Sequence, residues 1–373
     1  MTIRSGVYCG PLYFALAAKQ QLRRAANHPE EISVTARTFG ALALCLAAAC
    51  GGALAQDKPV ELKFSHWVPP AHPLHKTAQA WAQSIEQASG GTIKVAIYPS
   101  QQLGKAIDHY DMTVKGIADV SYINVGYQAG RMLVANAAQL PFMMDNADNG
   151  SRAYDVWYRR YAQKDMPGVK LCLMFVHDPG TFHSKIRISL PEQVKGLKVR
   201  PAQAVVADWM KLLGASTVNV SAPEAREALE RGVADAITFP WGSIYLFGIN
   251  KVTRFHIDAR MYTTGFAWIL NPDRYNSLSP AQRKVIDEHC SSDWAYRVGK
   301  EWGDFEAAGR EKTKADKAHT VVPLTPSELA AWKKSSEPVV GIWSGEVRKQ
   351  GYDPARLLAE FDATLLKYGA KAK

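Results

Sequence analysis

Strand-like and helix-like segments alternate from Val60 onward, and this alternation constrains the fold more than any other feature of the chain. Val60 to His66, Thr92 to Tyr98 and Ala118 to Asn124 have the residue types of strands, and Leu74 to Ala88 and Lys105 to Lys115 between them have those of helices. On the first helix Leu74, Ala78, Trp81, Ala82 and Ile85 recur at helical spacing, which gives it one buried face. Strands alternating with helices imply a mainly parallel sheet covered on both sides, so the expected fold class is α/β. The apolar run Val169 to Val176 fits such a sheet, since a strand buried on both faces shows no polar alternation. A second α/β set begins near Thr181. Residues 56 to 373 are many for one core and comfortable for two lobes.

The first 55 residues read as a leader rather than as fold. Ala41 to Ala49 is an apolar run preceded by Arg37, and Ala53-Leu54-Ala55 is a small-residue cleavage site, the pattern of a secretory signal cut before Gln56. The run is too short, and its flanks are wrong, for a membrane-spanning helix. Residues 1 to 33 precede the signal by an unusual distance, as a misplaced start would leave them; lipid attachment at Cys50 is the rival form of processing. The expected location is the periplasm. Beyond the leader 40 basic and 33 acidic residues remain, a net charge of +7. They are scattered along the chain and the tail Lys367 to Lys373 is a solvated end, so nucleic acid is not an expected partner. The excess favours small anions near a cleft.

Three of the five cysteines fall in the leader, leaving Cys172 and Cys290. An oxidising compartment permits a bond between them, but two cysteines are no disulfide framework. Cys172 in its apolar run and Cys290 on a helical stripe read as core residues rather than ligands or nucleophiles. Helix starts are well marked in the later half. Ser221-Ala222-Pro223-Glu224, Ser279-Pro280-Ala281-Gln282 and Thr325-Pro326-Ser327-Glu328 each join an N-cap hydroxyl to a capping-box partner three residues on. After Ser279 the apolar positions Ile286, Cys290, Trp294, Val298, Trp302 and Phe305 describe one long helix.

Gly196 to Pro201 is a short strand stopped by a proline, which places Arg200 at a strand end, where side chains face a cleft. There an arginine either clamps a carboxylate through two parallel charge-assisted bonds or pairs with a neighbouring acid. Catalytic signatures are missing: Gly104-Lys105 lacks the rest of a phosphate-binding loop, and no G-x-S-x-G, H-E-x-x-H or C-x-x-C occurs. No enzyme activity and no cofactor are expected. His66, His72 and His75 are interrupted by Pro69, Pro70 and Pro73, share no helical face, and have no acid or cysteine to complete a metal set. His66 and Trp67 end the first strand, and ligands of open α/β sheets bind beyond the carboxyl ends of strands, so both fit a cleft lining. Tyr122, Asn124 and Tyr127, around the end of the third strand, offer hydrogen bonds from the same side.

Six fragments in order carry a resemblance. They are Gly90 to Val95, Tyr98-Pro99 with Gln102-Leu103-Gly104, Lys115 to Val120, Leu140-Pro141-Phe142, Gly196 to Arg200 and Glu230 to Asp235. Over nearly everything after residue 56 the chain resembles the periplasmic solute-binding proteins of TRAP transporters, the tripartite carriers of organic acids. The resemblance implies a two-lobed periplasmic binding protein fold with a long helix spanning both lobes, residues 56–180 and 266–305 forming the first lobe and 181–265 and 306–373 the second. It implies Arg200 as the carboxylate-binding arginine, a small-molecule carboxylate ligand, and TRAP membrane permease subunits as partners. Some sugar-acid-binding members carry a second arginine just after a Gly-Thr pair; here Gly180-Thr181 is followed by Phe182. Where those members place a ligand-binding asparagine before a proline, this chain has Phe239 before Pro240, then Trp241. Aromatic rings at these positions favour an apolar or aromatic monocarboxylate over sialic acid or a C4-dicarboxylate, although Phe239 and Trp241 also suit ordinary core packing. A ligand-sensing subunit of a membrane signalling system is the alternative function.

Overall fold

The computed structural model describes residues 57–128 and 130–372; the leader, its cleavage site and Cys50 lie outside the described residues. The strands are β1 (Val60–Ser65), β2 (Ile93–Tyr98), β3 (Val120–Asn124), β4 (Lys170–Val176), β5 (Thr181–Ser184), β6 (Lys198–Arg200), β7 (Ser216–Thr217), β8 (Ala236–Phe239), β9 (Phe255–Asp258), β10 (Gly265–Leu270) and β11 (Thr320–Pro323). They form two sheets, ordered β2-β1-β3-β10-β4 and β11-β9-β5-β8-β6-β7. The pairs of β1 with β2 and β3 are parallel, whereas β10 is antiparallel to β3 and β4. In the second sheet β5 is antiparallel to β8 and β9, and the other pairs are parallel.

Each exception marks a crossing between lobes. The chain passes from β4 into β5 and returns from β9 into β10, so each new sheet is entered against its prevailing direction. The two crossings run side by side: Gly180 N–H donates to Tyr262 O at 2.8 Å, and Met261 N–H donates to Gly180 O at 3.0 Å. The α/β, two-lobed architecture is therefore the expected one, with one antiparallel strand in each sheet.

The longer helices are α1 (Pro73–Ala88), α2 (Asp148–Tyr158), α3 (Ala204–Leu212), α4 (Pro280–His289), α5 (Ser292–Ala315), α6 (Pro326–Lys349) and α7 (Pro354–Tyr368). All three capping boxes form; at Ser279 the hydroxyl accepts from Gln282 N–H and the Gln282 carbonyl accepts from Ser279 N–H, both at 3.1 Å. The single helix expected after Ser279 is two. Cys290 leaves helical conformation (φ −100°, ψ 60°), and Ser291 is extended as the N-cap of α5. At this break Cys172 and Cys290 are the buried core residues expected, and the disulfide that an oxidising compartment permits joins them. Arg159 Nη2 ties both backbones together by donating to Cys172 O at 2.7 Å and Cys290 O at 2.9 Å.

The N-terminal part of α5 packs on α1, α2 and β4 of the first lobe, and its C-terminal part meets the second, where Arg310 Nε donates to Asp258 at 2.8 Å. A second helix also spans the lobes. On α6 Trp332 Nε1 donates to Ser189 O at 2.8 Å in the second lobe, and Trp343 Nε1 donates to Leu133 O at 2.8 Å in the first. The last helix, α7, packs on α2, with Phe361 and Trp157 rings 4.5 Å apart. Assigning all of 306–373 to the second lobe therefore does not describe α7.

Candidate functional site

A small cavity lies between the lobes. Its lining comes from the ends of β1, β3, β4, β6 and β8, the start of β10, and Trp302 on α5.

Pro201 ends β6, so Arg200 stands at that strand's carboxyl end and is only 1% exposed. Its Nε–H donates to Val220 O at 3.0 Å, one Nη2–H donates to the Tyr127 hydroxyl at 3.1 Å, and the guanidinium lies 5.6 Å from the Phe239 ring centre. No described residue supplies it with an ion-pair partner. The acid that most feels its charge, Glu224, is turned into the capping box at Ser221. The Ser221 hydrogen bonds hold Glu224 below the ordinary carboxylate range, with a smaller contribution from Arg200.

Tyr127 completes this end of the cavity. It sits in a turn that Asn124 caps by accepting from Gly126 N–H at 2.9 Å. The Tyr127 hydroxyl oxygen accepts from Arg200 Nη2–H and from Ala222 N–H at 2.8 Å. With both lone pairs engaged, its own hydrogen is left to donate. Unused guanidinium hydrogens and a free phenol hydrogen side by side could serve an anion, since a buried cation lacking a counter-ion gains most from acquiring one.

The rest of the wall is aromatic and neutral. Trp67, Phe239, Phe247, Phe266 and Trp302 line it. Burial pushes His72 down to about 3 and His177 down to about 4, so both are uncharged at neutral pH and Arg200 is the cation of the lining. His177 Nδ1–H donates to Asp178 O at 2.5 Å, while its Nε2 accepts from Thr264 N–H at 3.2 Å. His72 Nδ1 accepts from Leu74 N–H at 3.2 Å, leaving Nε2–H for Ser243 Oγ at 3.4 Å. Behind Ser243 the carboxylate of Glu306 accepts from Ser243 N–H at 3.1 Å, Trp302 Nε1–H at 2.6 Å, Gly242 N–H and the Ser243 hydroxyl. Among the described residues no group of three or more His, Cys, Asp or Glu side chains is gathered to hold a metal ion.

Of the residues singled out in the sequence, Arg200, Phe239, Trp67, Asn124 and Tyr127 line the cavity, and His66, Tyr122, Phe182 and Trp241 do not. His66 points to α1, its Nε2 lying 2.9 Å from His75 Nδ1. Tyr122 lies one layer behind the wall, stacked 4.9 Å under Trp67. Phe182 pairs with Thr238, one residue out of step with Phe239, so alternation sends it to the opposite sheet face, where it packs near Trp332. Trp241 follows Pro240, beyond the strand, and packs on His183 and His256. The lining residues that strand-end reasoning missed include His177, Thr264 and Phe266. Thr264 and Phe266 stand at the start of an antiparallel strand, which shows the cleft its amino end rather than its carboxyl end.

Comparison with known proteins agrees with this geometry. The family described as bacterial extracellular solute-binding protein, family 7 (DctP), matches residues 64–345. A TRAP solute-binding protein from Rhodoferax ferrireducens, in complex with copurified benzoate, superimposes with a TM-score of 0.79 at 29% identity, covering 83% of this chain and 98% of that one. A marine metagenome TRAP solute-binding protein specific for aromatic acid ligands, in complex with 3-hydroxybenzoate, gives 0.78 at 30% identity over 83% and 99% of the two chains. One from Bordetella bronchiseptica, with bound (R)- and (S)-mandelate, gives 0.78 at 27% identity over 83% and 99%. The chain belongs to family 7 of the bacterial extracellular solute-binding proteins, the DctP-type receptors of TRAP transporters.

Proposed function

We propose that the protein captures an aromatic monocarboxylate outside the cytoplasm, after signal-directed export, and hands it to a TRAP-type membrane permease. The observation that carries the reading is Arg200, buried without an acid beside a tyrosine whose hydrogen is free to give. One cation suits one carboxylate. A second carboxylate, or the hydroxyls of a sugar acid, would lose hydration against Phe239, Phe247 and Phe266 with too few partners in return. The three relatives described above hold benzoate, 3-hydroxybenzoate and mandelate, all aromatic monocarboxylates. The Cys172–Cys290 disulfide suits an oxidising compartment.

Calorimetry on the processed protein tests the reading against benzoate, 3-hydroxybenzoate, mandelate, a C4-dicarboxylate and sialic acid. The first three are expected to bind and the last two to bind far more weakly. Arg200→Ala strands a buried carboxylate, a loss of about 2 to 5 kcal/mol, or roughly 30-fold to several-thousand-fold in affinity. Arg200→Lys also binds poorly, because a point charge replaces the planar fork. Near-native affinity in a well-folded Arg200→Ala protein, or a preference for the dicarboxylate, overturns it.

A further inference from the structure

Arg200 and Tyr127 account for one end of the ligand. Two polar atoms elsewhere in the wall have no partner: Trp67 Nε1 and Thr264 Oγ1 are both buried and unbonded, on residues 5% and 1% exposed that line the cavity. The Trp67 ring is fixed by its stack on Tyr122 and by Phe247 and Phe266, each 6.4 Å away. Thr264 is tethered by its N–H to His177 Nε2, and the other His177 nitrogen is engaged by Asp178 O.

The chemistry of the two atoms limits what would satisfy them. An indole N–H only donates, and a threonine hydroxyl both donates and accepts. A ligand hydroxyl meets either requirement, accepting from one and donating to the other type, whereas a ring or methylene hydrogen meets neither. A wall donor left unpaired when the cavity closes carries its full desolvation penalty. Resting on the aromatic-carboxylate reading, we propose that Trp67 and Thr264 recognise a hydroxyl group on the ligand, so that the preferred ligands are hydroxylated aromatic monocarboxylates rather than unsubstituted ones.

Two ligand pairs that differ by one hydroxyl test this: benzoate with 3-hydroxybenzoate, which places it on the ring, and phenylacetate with mandelate, which places it beside the carboxylate. In at least one pair the hydroxylated acid is expected to bind the native protein about 10- to 100-fold more tightly. Thr264→Val keeps the shape and removes the hydroxyl; Trp67→Phe keeps an aromatic ring and removes the N–H. Whatever either substitution does to the affinity for the plain acid, the ratio within the responsive pair is expected to fall toward one, and melting temperatures confirm that both variants fold. The inference is overturned if the native ratio is near one in both pairs, or if it survives both substitutions. It is equally overturned if both members of the responsive pair weaken by the same factor, since the two atoms would then serve the carboxylate. Binding of all four acids without hydroxyl preference removes this inference alone, whereas binding of none removes the aromatic-carboxylate reading as well.

Discussion

Glu306 shows how a single side chain joins α5 to the ligand cavity. Four donors converge on its carboxylate, two of them from Ser243 and one from Trp302, and both those residues line the cavity. Close approach makes this possible: a Cβ on Gly309, one turn along α5, would collide with the Gly242 backbone. Burial pushes Glu306 up to about 7 in spite of the donors. A carboxyl with a raised folded-state pKa takes up its proton on folding, so its stabilising contribution is complete below the ordinary carboxylate range. That contribution is lost as pH rises through about 7. Glu306→Gln removes the titration. Urea unfolding of both proteins at pH 5 and pH 8 is expected to show the native protein's margin over the variant shrinking by about 2 kcal/mol at the higher pH. A constant margin would mean that Glu306 is ionised across that range.

At the scale of elements, the break between α4 and α5 interrupts a continuous apolar pattern at a cross-linked residue. The apolar stripe from Ile286 to Phe305 is continuous in sequence, although Ser291-Ser292-Asp293 after Cys290 has the residue types of a helix start. The bond to Cys172, 118 residues earlier, and the Arg159 hydrogen bond to Cys290 O both meet at this boundary. Closing so long a loop constrains the unfolded chain, so replacing both cysteines by alanine is expected to cost about 2 to 5 kcal/mol of stability. Neither cysteine lines the cavity, and affinity for the ligand should be retained in the folded fraction. Thermal unfolding coupled to calorimetry checks both outcomes; an unchanged melting temperature would show that the cross-link contributes nothing beyond packing. The same contrast governs what the sequence could show. Strands, caps and the Arg200 strand end were legible because each depends on residues within a few positions, as the three capping boxes show. Phe182, Trp241, His66 and Tyr122 fall outside the cavity lining because facing depends on pairing register and on what packs behind, as with Phe182 opposite Thr238. Thr264 was invisible for a related reason: only the antiparallel insertion of β10 brings the start of that strand to the cleft.

At the scale of the whole molecule, buried apolar residues of both lobes share the same core clusters, and polar contacts join the lobes as well, two of them made by Tyr127. Its hydroxyl, on the first lobe, accepts from Arg200 and from Ala222 N–H on the second; His72 reaches across to Ser243 at 3.4 Å. The chain connects the lobes through the paired crossings at Gly180 and Tyr262 and the two spanning helices, and short element-terminal segments of this kind are where a hinge would bend. A carboxylate bound between Arg200 and Tyr127 would add bonds to both lobes at once and so favour the closed form over the open one. Solution scattering is therefore expected to give a smaller radius of gyration with saturating benzoate than without it. Tyr127→Phe tests the same linkage from the protein side. The substitution removes two interlobe hydrogen bonds and one donor to the ligand, while the stranded Arg200 and Ala222 hydrogens regain water only if the lobes part. At about 1 kcal/mol for each of two or three bonds, affinity should fall roughly 30- to 150-fold. Closure should then require a correspondingly higher ligand concentration, with little change in secondary structure. Identical scattering profiles with and without saturating ligand, or native affinity in Tyr127→Phe, would show that capture does not proceed through closure of the lobes on this tyrosine.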